Sequence, residues 1–416
     1  MKERKLYSVS IKCYILNIQD CMALLSLGII LITGFLAGIL FEKLRLPKII
    51  GMIIVGILLG PSFLNSIDGA ILEISGYLRQ IALVIILTRS GLSLNIDNLK
   101  KIGRPAILMC FVPAVFEIVA ITIFAPMLLG VSYVEALLIG SVVAAVSPAV
   151  IIPRMIKYSK TNYGTNKNIP ELIMAGSSAD DIFVIVLFYA FLGLLKGNTL
   201  NTWSMLQIPI SIILGAIIGI GVGLVMVKIF EKYTKTILSN ILILLSVSFM
   251  LIGLEILIQD VISFSALISI VTTGMVILLK NRTIAHDLEE GYQKLWLFFE
   301  ILLFVLVGIS VDVNYAISAG FMPIIVLMIA LVFRMIGVYV SLLFTNLNTK
   351  EKIFSMISYI PKATVQASIG AIALTEGLTV GNLVLTMAVL AILITAPLGA
   401  ILMDNTYKKL LFKSVL

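Results

Sequence analysis

Thirteen apolar runs of about 18–27 residues divide this chain, and each is long enough to cross a hydrocarbon core about 30 Å thick. They fall near 22–41, 48–65, 78–95, 104–130, 134–153, 169–195, 205–230, 237–257, 260–280, 294–313, 318–345, 353–377 and 380–403. In lipid every backbone polar group must be satisfied internally, so runs of this length fold as helices. Hydrophobic residues make up 60% of the 416, charged residues 12%, and mean hydropathy is +1.14, which excludes a soluble domain. The first run is followed by no small-residue cleavage site, so it reads as a retained helix rather than a signal peptide.

The net charge of +8 does not point to nucleic acid, because the positive charge follows alternate loops. Of the 30 Lys and Arg residues, 21 fall in loops 1, 3, 5, 7, 9 and 11 and in the carboxyl tail, for example Lys43, Arg45 and Lys48 or Lys408, Lys409 and Lys413. The opposite loops hold Arg79 and Lys196. The asymmetry places the amino terminus outside and the carboxyl terminus in the cytoplasm, against the preference of the tail residues Lys2, Arg4, Lys5 and Lys12. Cys13, Cys21 and Cys110 have neither disulfide nor metal-ligand spacing, and His286 reads as a solvated loop residue.

Within the sixth run, Ser177-Ser178-Ala179-Asp180-Asp181-Ile182 sets two carboxylates side by side. An ionised carboxylate at mid-membrane costs about 2.5–3.5 kcal/mol on insertion scales, and such groups mark ion or proton pathways. Arg89, Arg334 and Lys362 also fall inside apolar runs, facing the anions Glu117, Asp180 and Asp181. The plain reading makes all six structural ion pairs, since a low-dielectric interior demands near-neutral pairing. Glu135, Glu171, Glu300, Asp312 and Glu376 lie near helix ends, where side chains reach the interface. Adjacent helical positions point about 100° apart, so Asp180 and Asp181 face different surroundings, one salt-bridged and one open to an aqueous funnel. Ser177 and Ser147 add hydroxyls, and carboxylate, hydroxyl and carbonyl oxygens suit a hard cation such as Na⁺. A carboxylate holds a proton or Na⁺ but not both, and competition for one site gives exchange.

Pro148 and Pro153 interrupt the fifth run and Pro361 the twelfth, so both helices are expected to kink or unwind near mid-membrane and expose carbonyls and half-helix dipoles. Helices 1–6 and 8–13 read as two six-helix repeats flanking helix 7, and the odd intervening helix inverts the second. Broken helices then occupy the fifth place of each repeat, while Glu117 and Arg334 lie on the fourth helices as a cross-repeat salt bridge. Gly34-xxx-Gly38, Gly56-xxx-Gly60 and Gly215-xxx-Gly219-xxx-Gly223 are expected to pack within one protomer.

Leu87-Thr88-Arg89-Ser90-Gly91-Leu92, Val146-Ser147-Pro148, the double-aspartate segment and Pro361-Lys362-Ala363-Thr364-Val365-Gln366-Ala367 occur in this order. Through them the chain resembles the monovalent cation:proton antiporter superfamily, in particular the paired-aspartate sodium/proton exchangers of the animal type and their bacterial relatives. The resemblance covers essentially all the membrane segments. It implies an all-α antiporter fold of about thirteen transmembrane helices, with two broken helices crossing near the ion site and a core that moves like an elevator against a dimerisation domain. On that pattern 1–21 is an amino-terminal tail, 22–95 and 237–315 form the dimerisation scaffold, and 104–195 and 318–403 form the translocating core. Residues 205–235 are a linker helix and 404–416 a cytoplasmic tail. Asp181 becomes the principal Na⁺ and proton carrier, and Asp180 its neighbour, engaging a cation such as Lys362 when Na⁺ is absent. Glu117 and Arg334 match the charged pair of the animal-type group, with Arg89 as a further balancing cation. Other bacterial relatives carry the partner lysine where Arg334 stands, which leaves both the partner of Asp180 and the proton stoichiometry open.

The expected activity is exchange of Na⁺, or Li⁺ or K⁺, for H⁺ by a homodimer in a bacterial cytoplasmic membrane, with no cofactor beyond the transported ions and no nucleic-acid partner. An intramembrane aspartyl protease needs two facing carboxylates from separate helices, which adjacent positions do not supply. In a cation channel the buried Lys362 and Arg334 would oppose the permeating ion.

Overall fold

The computed structural model describes residues 2–93, 102–196, 202–232, 236–258 and 264–414, with side chains described in all of them but 2–21 and 202–209. The basic side chains of the amino-terminal tail, with Lys100, Lys101 and Lys235, lie outside the described residues. In chain order the helices are α1 (Lys2–Lys43), α2 (Lys48–Leu59), α3 (Gly69–Ser93), α4 (Arg104–Met109), α5 (Val112–Leu129), α6 (Tyr133–Val143), α7 (Pro148–Lys160), α8 (Ile169–Lys196) and α9 (Thr202–Lys232). They continue with α10 (Ile237–Ile258), α11 (Ala266–Lys280), α12 (Arg282–Ile309), α13 (Val313–Ser318), α14 (Met322–Ser341), α15 (Thr349–Ser358), α16 (Thr364–Gly370), α17 (Ile372–Thr375) and α18 (Gly381–Leu410).

Each apolar run coincides with helix. Among the described residues ten segments, counting α4 with α5 and α6 with α7, are long and apolar enough to cross a membrane. Lys48–Leu59, Ala266–Lys280 and Thr364–Thr375 are apolar but shorter, so length alone supports ten crossings where the sequence leads to thirteen.

Three helices begin well ahead of their apolar runs. Helix α1 starts at Lys2 rather than 22. Helix α3 starts at Gly69 rather than 78, and Arg79 is therefore not a loop residue: it is buried within the helix and its Nη1 donates to Ser310 Oγ at 2.6 Å. Helix α12 starts at Arg282 rather than 294. Asn281 caps it by accepting from the Ile284 N–H, and Ala285, Leu288, Tyr292 and Trp296 recur at helical spacing to bury one face of a polar stretch. His286 accordingly stands on the exposed face of a helix, not in a loop.

Three segments are interrupted, two of them at the prolines expected to do so. Helices α6 and α7 are separated by the unwound residues 144–147, and α7 restarts with Pro148 at its first position, where a missing N–H costs nothing. Helices α15 and α16 are separated by 359–363 around Pro361. The fourth run also breaks, between α4 and α5, just ahead of Pro113.

The helices pack in two groups. Helix α14 lies most extensively on α5, and α4 to α8 and α15 to α18 pack around that pair. In the other group α9 lies on α11, α12 on α2 and α3, α11 on α3, and α1 on α2. The glycine motifs serve this second group from within. A Cβ at Gly56 would strike the Val305 carbonyl and one at Gly308 the Ile53 carbonyl, so α2 and α12 touch backbone to backbone. Gly215, Gly219 and Gly223 likewise face Ser265, Ser269 and Val276 across the α9–α11 seam.

Gly308→Val should therefore force α2 and α12 apart, costing at least the ~1–3 kcal/mol of an overpacked core, whereas Gly28→Val, with open space around its Cβ, should leave stability unchanged. Melting temperatures of the two detergent-purified variants test this difference.

Candidate functional site

The two unwound stretches lie against each other inside the first group. Ser147 N–H donates to the Pro361 carbonyl at 2.8 Å, bonding break to break. Unwinding leaves carbonyls without helical partners, and in a dry interior each must find a donor. Gln366, on α16, supplies two, its Nε2 donating to Val143 O at 3.1 Å and Ala145 O at 2.8 Å. Arg334, on α14, supplies the others: Nε donates to Tyr359 O at 3.0 Å and Nη1 to Ala144 O. On the far side of the second break, Lys362 N–H is taken by Thr395 Oγ1 of α18 at 3.0 Å.

The same guanidinium organises the charges. Arg334 Nη1 lies 2.9 Å from Glu117 Oε2 and Nη2 lies 2.8 Å from Asp180 Oδ2, with all three side chains fully buried. Asp180 Oδ2 also accepts the Val146 N–H at 2.8 Å, which fastens the α8 carboxylate to the first break. Lys362 Nζ sits 2.8 Å from both carboxylate oxygens of Glu117. Glu117, Asp180, Arg334 and Lys362 thus form a closed quartet of zero net charge.

This geometry confirms the Glu117–Arg334 bridge and corrects two other expectations. Asp180 pairs with Arg334 and not with Lys362, because the α14 guanidinium reaches both carboxylates while the Lys362 ammonium is spent on Glu117. Arg89 does not balance the buried quartet; its Nε lies 3.2 Å from Glu289 Oε1 of α12, both half-buried. Glu300 is not an interfacial residue either, being buried and joined to Lys48 Nζ at 2.6 Å.

Asp181 is the carboxylate left over. Among the described residues it has no cation within salt-bridge distance, and its Oδ1 is buried without a hydrogen-bond partner. It stands at the inner end of a cavity of about 980 Å³. One wall comes from α3, α11 and α12, including Arg89, Ser90, Leu278, Glu289 and Trp296; the other comes from Pro148, Ala149 and Ile152 of α7, Ser178 and Asp181 of α8, and Thr364. Asp181 also lines a second, far smaller cavity of about 10 Å³, with Leu83, Leu87, Ile185 and Val365 around it and Thr364 and Ser368 beside them.

Ser147 and Ser177 are both buried but neither lines this cavity. Ser147 Oγ has no hydrogen-bond partner among the described residues, and Ser177 Oγ donates back to Met174 O at 3.1 Å. Ser178 and Thr364 are the hydroxyls that line the cavity with Asp181, and Thr364 Oγ1 is unpartnered. Sequence reasoning assigned no role to Thr364, Gln366 or Thr395. The first two carried a signal, as polar residues beside an intramembrane proline; Thr395, one of two threonines with Thr386 in a long apolar run, carried none.

The sodium/hydrogen exchanger transmembrane family model matches residues 29–404. Sodium/hydrogen exchanger 9B2 of Mus musculus is 31% identical over 89% of this chain and 69% of its own length. The 9B2 protein of Xenopus tropicalis is 32% identical over 92% and 74%, and sodium/hydrogen exchanger 9B1 of Homo sapiens 32% identical over 93% and 78%. Among solved structures, a sodium proton antiporter of Methanocaldococcus jannaschii at pH 8 aligns over 94% of this chain and 99% of its own with a TM-score of 0.79 and 22% identity, a likeness of fold.

Arg334→Ala strands the Asp180 carboxylate and two carbonyls, while Glu117 keeps Lys362, and should destabilise the protein by about 3–5 kcal/mol. Lys362→Ala leaves Glu117 still held by Arg334, and its loss should be smaller. Thermal melting of both variants checks the order.

Proposed function

The chain belongs to the sodium/hydrogen exchanger family, which makes it a multi-pass membrane transporter and not an enzyme, and from that premise we propose that it exchanges Na⁺ for H⁺ at Asp181. The observation that carries the assignment is the unpaired state of Asp181 at the end of the cavity beside a neutral, closed quartet. A carboxylate without an ionic partner must be neutralised by something mobile, and a proton or a Na⁺ each suffices. Thr364 Oγ1 and Ser178 Oγ stand beside it as neutral oxygens for the ion, and the α7 dipole begins at the neighbouring Pro148.

Access to the two sides in turn requires Asp181 to leave its cavity. The cavity lies along the seam between the two helix groups, with the carboxylate on one wall, and the apolar contacts of Leu83, Leu87, Ile185 and Val365 close the way beyond it. We assign the α4–α8 and α14–α18 group as the moving core and α1–α3 with α10–α12 as the scaffold and dimerisation domain, linked by α9. Sliding of one group against the other, elevator fashion, would carry Asp181 past that seal. Lys48 and Arg282 among the residues lining the cavity support, under the positive-inside rule, a cavity that opens on the cytoplasmic side of a cytoplasmic membrane, with the amino terminus outside. The extensive packing of α5 on α14, fourth in each half, supports the reading of two inverted repeats.

Asp180, bonded to Arg334 and to Val146 N–H, is not free to release its place to a proton in each cycle. Exchange at Asp181 alone moves one proton per cation, and transport is then insensitive to membrane potential.

Asp181→Asn should abolish Na⁺-driven proton movement in proteoliposomes while leaving the protein folded and monodisperse; retained exchange would remove Asp181 from the site. With Na⁺, Li⁺ and K⁺ compared at clamped potential, the rate should not respond to voltage. Since Na⁺ and H⁺ compete for one carboxylate, the apparent KM for Na⁺ should rise as pH falls, by up to about tenfold per unit.

A further inference from the structure

One face of α18 touches both broken helices. Thr395 Oγ1 accepts the Lys362 N–H, and one turn on Gly399 lies against the Pro361 ring, so closely that a Cβ there would displace it. Two turns further the same face meets α7. Tyr407 stacks on Tyr158 with ring centroids 4.2 Å apart, and the neighbouring Asp404 accepts the Tyr158 hydroxyl at 2.9 Å on one oxygen and Arg154 Nε at 3.1 Å on the other. Both ion pairs described for α7, those of Arg154 and Lys157, end on Asp404. The chain then doubles back beyond α18: Gly164 N–H donates to Phe412 O and Ser414 N–H to Asn162 O, each at 2.8 Å. Residues 412–414 thereby clasp the loop that joins α7 to the aspartate-bearing α8.

Helix α7 is 13 residues long and begins inside the site, where Ser147 provides no side-chain cap. Its first turn is held by two backbone contacts, Ser147 N–H to Pro361 and, just ahead of it, Val146 N–H to Asp180. At 1.5 Å per residue, the Arg154–Tyr158 stretch lies roughly 10–16 Å away along the helix. Pro153 lies between and weakens one turn, but the helix is continuous through it, so a tilt or slide at its far end is carried to its start.

We propose that Asp404 is a positioning residue for the exchange site: by anchoring the far end of α7 to α18, it sets the register of Val146 and Ser147 against Asp180 and Pro361, and so the geometry in which Asp181 receives the cation. The inference rests on Asp181 being the exchange carboxylate. Asp404 reaches no ion and no reacting atom, and its contribution lies in affinity rather than in chemistry. An amide in its place keeps one acceptor oxygen, whereas a methyl keeps none.

The test compares the unmodified protein, Asp404→Asn, Asp404→Ala and Tyr158→Phe in proteoliposomes, with KM for Na⁺ and maximal rate read separately and amide hydrogen exchange followed over residues 146–151. In Asp404→Ala the KM should rise about fivefold with the maximal rate within about twofold, and exchange at 146–151 should quicken; Asp404→Asn should fall between it and the unmodified protein. An unchanged KM in Asp404→Ala, or a lowered rate at constant KM, would overturn the inference. Should Asp404→Ala not fold, Tyr158→Phe decides on the same two readouts, with a raised KM expected and an unchanged one fatal. Absence of Na⁺-driven proton movement in the unmodified protein would instead strike the exchange reading itself.

Discussion

A guanidinium with no water around it needs acceptors for its N–H groups and a balanced charge, and the interior of this protein supplies Arg334 with four acceptors, two of them carboxylates. Its partners come from four places that are distant in sequence: Glu117 on α5, the Ala144 carbonyl in the first break, Asp180 on α8 and the Tyr359 carbonyl at the second break. A lysine at this position could not serve them all, since an ammonium has three donors radiating from one point while guanidinium offers five in a planar fork. The unwound backbone therefore depends on the charge, and the charge on the unwound backbone. Carbonyls released by the prolines help to solvate the cation, and the cation makes their release tolerable in lipid.

The difference between two adjacent aspartates follows from this arrangement. They share a helix, and the turn of about 100° between them directs Asp180 into the quartet and Asp181 to the cavity. Once Glu117 and Asp180 have neutralised Arg334 and Lys362, neither of those cations remains for Asp181, and among the described residues no other lies within salt-bridge distance of it. An ionised Asp181 would thus be left unbalanced by the pairing of its neighbours, which is why we propose a mobile ion there.

Much of this was legible in the sequence for one physical reason: a bilayer forbids most alternatives. Apolar length specified where helices lie, intramembrane proline specified where two of them break, and the cost of burying charge singled out Glu117, Asp180, Asp181, Arg334 and Lys362 as a set, together with Arg89, which pairs elsewhere with Glu289. What the pattern could not specify was pairing within the set. Whether Asp180 meets Lys362 or Arg334 depends on how far each side chain reaches across the crossed breaks, a distance with no counterpart in residue spacing. Helix ends were the other weak point. Hydropathy falls off before the helix does when a polar stretch still buries one face, as in 282–293, and Arg79 and Glu300 were misplaced because a lone charge near the end of an apolar run resembles an interfacial one. In fact each is itself buried and has found a half-buried partner distant in sequence, Ser310 and Lys48.

The contacts that cross the two breaks also bear on how such a site can move. Ser147 to Pro361, Gln366 to Val143 and Ala145, and Arg334 to both breaks bind α6, α7, α14, α15 and α16 into one hydrogen-bonded body. Moving one broken helix alone would strand several of these groups in a dry interior at about 1–3 kcal/mol each. The seam with α3, α11 and α12 is different in kind at the carboxylate's level, where the facing surfaces near Asp181 are the apolar side chains Leu83 and Leu87 on one side and Ile185 and Val365 on the other. Apolar contact has no directional bonds to break when one surface slides over another, so the elevator displacement we propose would run along that seam, with the crossed breaks and Asp181 carried together.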